Sequence, residues 1–185
     1  MNNARNVSTG KPQITGAIFN APIGTELPTD AKTKLNAAFK CLGYVSDDGI
    51  KNDNSPSTDE IKAWGGNTVL TLQKEKSDKF KYSLIESLNV DVLKAVYGEE
   101  NVSGDLETGI TIKANNSERI YSSWIIEMIM SEGTLKRIVI PSAKISDVGE
   151  VVYKDKDAVG YEITLNASPD KDGNTHYEYI VKSNA

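Results

Sequence analysis

Along most of this chain, hydrophobic and polar positions alternate with a period of two rather than three to four. Phe80, Tyr82 and Leu84 interleave with Lys79, Lys81 and Ser83, the pattern of a strand with one buried face. Residues 68–76 and 78–87 are therefore expected to pair as a β-hairpin. Residues 121–131 and 134–146 form two longer runs around Glu132-Gly133, a natural turn. In the first run Trp124, Ile126, Met128 and Met130 share one face, while Ser123, Glu127 and Ser131 share the other. Ile110 and Ile112, then residues 151–153, 161–165 and 177–181, add shorter strands, with DKDGN at 170–174 as a further turn.

One segment keeps helical spacing. Val92, Leu93, Val96 and Tyr97 form an apolar stripe over 90–97, with Asn89 as N-cap and Gly98 just past the last turn. Residues 31–39 fit two readings, a short helix capped by Asp30 or an extended run into LGYVS, and the pattern does not choose. About eight strands and one helix predict a mainly β (α+β) fold, a β-sandwich or barrel with one flanking α-helix. No internal repeat is visible.

Polar stretches set the organisation. Residues 1–30 are rich in Gly, Pro, Thr and Asn around a short apolar stretch at 14–19, and predict an N-terminal arm with at most one edge strand. Residues 46–60, SDDGIKNDNSPSTDE, hold almost nothing to bury, which predicts a long polar loop or a segment that orders against a partner. A single domain spanning 1–185 is expected. At that length folding buries about 70% of the surface an extended chain exposes, so neither disulfide nor metal is needed.

Composition narrows the functions. The one cysteine, Cys41, has no internal partner, as expected of a protein folded in a reducing compartment. The N-terminus MNNARNVSTGKP lacks an apolar stretch, so no secretory signal is expected, and no run of about 18 apolar residues predicts a membrane helix. The sequons starting at Asn6, Asn101, Asn115 and Asn166 then reflect Asn content alone. The net charge is −5, with acidic runs at 47–60 and 99–107. Lys74, Lys76, Lys79 and Lys81 are interleaved with Glu75 and Asp78. That is an exposed strand edge, not a phosphate-binding cluster.

Catalytic chemistry finds no anchor. His176 is the only histidine, which leaves Ser-His-Asp, Cys-His and multi-histidine metal sites short of residues. It sits in NTHYEY, where a partly packed histidine is the simpler reading. No phosphate-binding loop or dinucleotide fingerprint occurs, and DKDAVGYE lacks calcium-loop spacing. Nothing selects an acid–base pair among 26 carboxylates. No catalytic, cofactor or metal residue is assigned, and no enzyme is expected.

The segment IKAWGGNTVLTL raises a different possibility. Gly65 and Gly66 beside Trp64 are read first as a turn, where glycine supplies positive φ. They also suit a ring interface, in which the strand enters another subunit's sheet at close backbone approach and Trp64 is its anchor.

GAIFNAPIGTELPTDA, LGYVSDDGI, DEIKAWGGNTVLTLQ and LIESLNVDVLKAVYG, in this order over about residues 16–104, resemble the major tail protein (tail tube protein) family of long-tailed, siphovirus-type bacteriophages. The resemblance implies a tail-tube-like fold in which strands of six copies join into a ring around a channel. It also implies stacking of rings through loops and the N-terminal arm. The partners it implies are further copies, the tape-measure protein, and the tail terminator and distal tail proteins. DNA would pass through the channel without sequence-specific binding, in a virion tail assembled in the host cytoplasm. An acidic wall would repel phosphate, and Glu75, Asp78, Glu86 and Glu127 are its candidate channel-facing residues. Two other classes stay in view. One is a carbohydrate-binding β-sandwich using Trp64, Trp124 and tyrosines as a platform. The other is the inner tube of a contractile tail or a type VI secretion-like machine.

Overall fold

The computed structural model describes residues 2–183. Its strands are β1 (Gly10–Pro12), β2 (Ile18–Pro22), β3 (Lys40–Cys41), β4 (Lys51–Asp53), β5 (Pro56–Lys62), β6 (Thr68–Lys76) and β7 (Lys79–Leu84). After the helix α1 (Val90–Tyr97) follow β8 (Val102–Ser103), β9 (Thr111–Ile112), β10 (Ser122–Met130), β11 (Thr134–Val148), β12 (Tyr161–Ala167) and β13 (Tyr177–Lys182). The fold is mainly β, as the alternation predicts, with one α-helix among the described residues and no closed barrel.

Nine strands form one sheet in the order β3-β2-β10-β11-β12-β7-β4, with β1 beside β10 and β13 beside β11. The long strand β11 carries two halves of this sheet. Residues 134–139 pair with β13, and residues 143–148 pair with β12. Pro141, which has no N–H to donate, falls where the strand leaves one partner and takes the next. Its carbonyl accepts a hydrogen bond from Ser123 Oγ at 2.8 Å.

Trp124 and Ile126 of β10 lie in one buried cluster with Phe80, Tyr82 and Leu84 of β7, although β11 and β12 separate those strands in the sheet. The sheet must therefore curl on itself. α1 closes the cluster with Val92, Leu93 and Val96. The helix has the caps expected of it: Asn89 Oδ1 accepts from the Asp91 N–H, and Gly98 adopts φ 101° after the last turn. The opposite face of β10 and β11 is also covered. Phe19, Ala21, Ile125 and Val139 pack there beneath Leu27, Leu35 and Phe39.

Five expectations change. β6 does not pair with β7; it pairs with β5, while β7 lies between β12 and β4. Residues 46–60 are accordingly not one loop: 46–50 hold a turn, Lys51–Asp53 pair with β7, and Pro56–Glu60 belong to the outgoing limb of the β5–β6 hairpin. β2 is no edge strand, since it lies between β10 and β3 with Ile18 fully buried. Residues 31–39 form neither helix nor strand, and Asp30 instead caps a turn through the N–H groups of Lys32 and Thr33. Those bonds, led by the Thr33 hydroxyl, lower the Asp30 carboxyl to about 2. Residues 151–153 form no strand.

Candidate functional site

The most exposed secondary structure is the ribbon β5–β6. Every β5 residue is exposed. Ile61 faces Leu70, and Asp59 faces Leu72. Cross-strand partners share a face, so Ile61, Leu70 and Leu72 form an apolar strip with nothing over it. Lys74 and Asp59 close its inner end with an ion pair at 2.9 Å. Glu60 and Thr71 oppose each other on the reverse face.

Trp64-Gly65-Gly66 is the tip. The Gly66 N–H donates to the Ala63 carbonyl at 2.9 Å and the Ala63 N–H to Asn67 at 2.8 Å, a tight turn. Gly65 (φ 111°) and Gly66 (φ 91°) occupy backbone that favours glycine, yet no atom lies within 4 Å of where a Cβ would stand. Glycine serves the turn here, not a close contact inside the chain. Trp64 is fully exposed, at 103% of the reference area.

The ribbon's root is the opposite case. Asp78, between β6 and β7, is 1% exposed. Its carboxylate accepts from Asn52 Nδ2 at 2.8 Å and Thr175 Oγ1 at 2.5 Å, and lies 2.5 Å from His176 Nδ1. Burial pushes the carboxyl up, but the bonds from Thr175, His176 and Asn52 outweigh it and hold it below the usual carboxylate range. Phe80 meets the His176 ring edge-on at 5.3 Å. The one histidine thus belongs to a structural node.

The candidate channel acids do not converge. Asp78 is buried in that node. Glu127 is 5% exposed and receives both Nε (2.7 Å) and Nη2 of Arg137, which is directly opposite it on β11. Arg137 Nη1 also donates to the Asp30 carbonyl at 2.8 Å. Both carboxylates are thus sequestered and bonded within the single chain. Glu86 buckles two turns together, its Oε1 accepting from the Tyr44 N–H and its Oε2 from Asn89 Nδ2, each at 2.9 Å. The side chain of Glu75 lies outside the described residues. Trp124, at 2% exposure, is core and no sugar platform.

Two further features have no counterpart in single-residue motifs. β1, β10, the first half of β11 and β13 form a four-stranded patch, and neither β1 nor β13 has a second partner among the described residues. At the far end of β7 from the ribbon, Ile85, Leu88 and Leu106 line an open hollow of about 430 Å³. No cluster of His, Cys, Asp and Glu suited to a metal occurs among the described residues, and no helix there is long and apolar enough to cross a membrane.

Open margins and an unpartnered ribbon are assembly features, and comparison with known families agrees. The profile described as phage tail tube protein matches residues 3–185. The chain belongs to this family. No curated protein matches it closely enough to add a relative. A phage tail tube protein is a structural component of the virion tail and self-assembles into a tube with other tail proteins.

Proposed function

We propose that this tail tube protein closes into hexameric rings through the margins of its four-stranded patch. The rings stack through the β5–β6 ribbon around a tape-measure protein. The observation that carries the reading is the patch itself, whose outer strands β1 and β13 each have one partner. An unpaired margin costs solubility unless something covers it. Joining β13 of one copy to β1 of the next is a head-to-tail contact that a rotation can close, and closure removes both margins of the patch at once.

The ribbon supports the axial half of the proposal. An apolar strip of Ile61, Leu70 and Leu72, each about half exposed on two strands that pair only with each other among the described residues, contributes little to a monomer. It gains value only against another surface. In the finished tube the channel conducts DNA during ejection, and the net charge of −5 favours passage over retention. Assembly takes place in the host cytoplasm, and the terminator and distal tail proteins cap the two ends.

A carbohydrate platform lacks support, because Trp124 is buried and Trp64 makes no aromatic pair among the described residues. Electron microscopy of the purified protein at high concentration, and after coexpression with its tape-measure protein, tests the proposal. Six-fold rings and tubes are expected. A chain that stays monomeric under both conditions refutes it.

A further inference from the structure

A fully exposed indole on a stiff turn needs a receptor, and the chain carries a surface of matching character. The hollow at Ile85, Leu88 and Leu106 has its two leucines about two-thirds exposed, at 66% and 65%. Its volume of about 430 Å³ lies within the range of natural binding clefts.

Position argues as strongly as chemistry. The ribbon leaves the sheet at Lys79, the first residue of β7, and the hollow begins at Ile85, immediately after its last residue, Leu84. Root and hollow therefore lie at opposite ends of one strand, and Trp64, fully exposed, is free of the hollow of its own chain. A contact between features at opposite ends is heterologous and repeats along an axis. The β6 limb is nine residues long, a reach of about 30 Å at 3.3 Å per residue.

Charge agrees. Lys62 is the charged residue nearest the tip, while the Glu60 carboxylate accepts from the Thr68 hydroxyl at 3.0 Å. Glu86 lines the hollow, Asp105 and Glu107 flank Leu106, and Asp91 opens α1 beside Asn89. The cation nearest the tip, Lys62, thus complements the acids around the apolar floor, the kind of pairing that steers association. Another surface trough, about 520 Å³ between Thr29–Lys32 and β13, runs beside an open sheet margin and suits backbone pairing instead.

Given the stacked-tube reading, the geometry points to a specific joint: Trp64 of one copy seats in the Ile85–Leu88–Leu106 hollow of the copy in the next ring. Trp64 is the plug and Leu88 with Leu106 the socket. All three side chains are exposed in the single chain, so replacing them leaves the fold intact.

Two variants separate the halves of the joint. Trp64→Ala keeps the socket and loses the plug, and Leu106→Asp keeps the plug and loses the socket. Each alone, with an unchanged melting temperature, is expected to stop at single rings. The decisive measurement follows the indole emission of L106D, in which Trp124 is a constant buried background. Adding W64A should shift that emission to the blue with saturation, whereas adding the double variant W64A/L106D should not. Mixed W64A and L106D should yield paired rings but no tubes. If L106D or W64A stacks like the wild type, or if the emission stays fixed, the joint is refuted while the tube reading stands. If the wild type forms no rings or tubes at all, the tube reading falls and the joint with it.

Discussion

Asp78 and His176 are 98 residues apart in the chain, and Asp78 Oδ2 lies 2.5 Å from His176 Nδ1. With Asn52 and Thr175, this contact ties the root of the ribbon to the approach to β13. The two features proposed for stacking and for ring closure thus share one anchor. Removing the charge should loosen both.

Asp78→Asn is expected to cost about 2–4 kcal/mol, because it turns a charged acceptor of several bonds into a neutral group that meets donors with its own amide. The pH dependence has a definite sign. The folded carboxyl is held below its unfolded value of about 3.9. Its contribution is therefore present above that value and lost as pH falls through the lower, folded one. Denaturant melts from pH 6 to 2 should show an acid limb that is shallower in D78N. Hydrogen exchange at β4, β6 and β13 should rise in D78N at neutral pH, and exchange confined to β13 would refute the shared anchor.

The Glu127–Arg137 pair makes a second prediction. Both side chains are about 5% exposed, on a sheet face the alternation marks as polar. Glu127→Gln or Arg137→Met alone should cost about 3–5 kcal/mol, since each strands a buried partner. The pair Glu127→Leu/Arg137→Met should recover most of that loss, the residue being the donor withdrawn from the Asp30 carbonyl. Thermal melts of the three variants check this. Additive losses in the double variant would show that the face needs its charges.

A third prediction concerns Gly43. It adopts φ 70°, and a Cβ there would stand 1.9 Å from the Glu86 Cδ. Gly43→Ala must both strain the backbone and expel the carboxylate from the Tyr44 N–H and Asn89 Nδ2. A loss of roughly 2–3 kcal/mol follows. Gly43→Ala combined with Glu86→Ala should be no worse than Gly43→Ala alone, because the clash and the buckle disappear together.

What was legible in the sequence follows from burial. The stripe Val92, Leu93, Val96 marked α1, and Glu132-Gly133 marked the β10–β11 turn, where both residues adopt positive φ. The helix shows itself because one face meets a core and burial writes periodicity into the residues, whereas the turn shows itself through its glycine. β5 meets no core, so Pro56, Ser57, Thr58, Asp59 and Glu60 read as a loop although the ladder to β6 makes them a strand. With that limb hidden, β6 was matched to β7, its neighbour in sequence. Asp78 and Glu127 were read as surface acids because a charge in an alternating run usually points to water. What covers them, Thr175-His176 and the segment carrying Asp30, arrives from distant parts of the chain.

The ribbon tip gives the last prediction. Gly65 and Gly66 hold positive φ in open space, so valine at either position meets no clash and pays only backbone strain, about 1–2 kcal/mol. That strain falls on a turn whose strands share no side-chain burial with the cores. The body should therefore melt at an unchanged temperature in Gly65→Val/Gly66→Val, while the turn re-forms and points Trp64 elsewhere. Stacking should fail and ring closure should survive, since β1 and β13 lie in the body. Sedimentation and negative-stain images distinguish this from its rivals. Normal tubes would mean that tip direction is irrelevant to assembly, and an unfolded body would mean that the ribbon nucleates the fold.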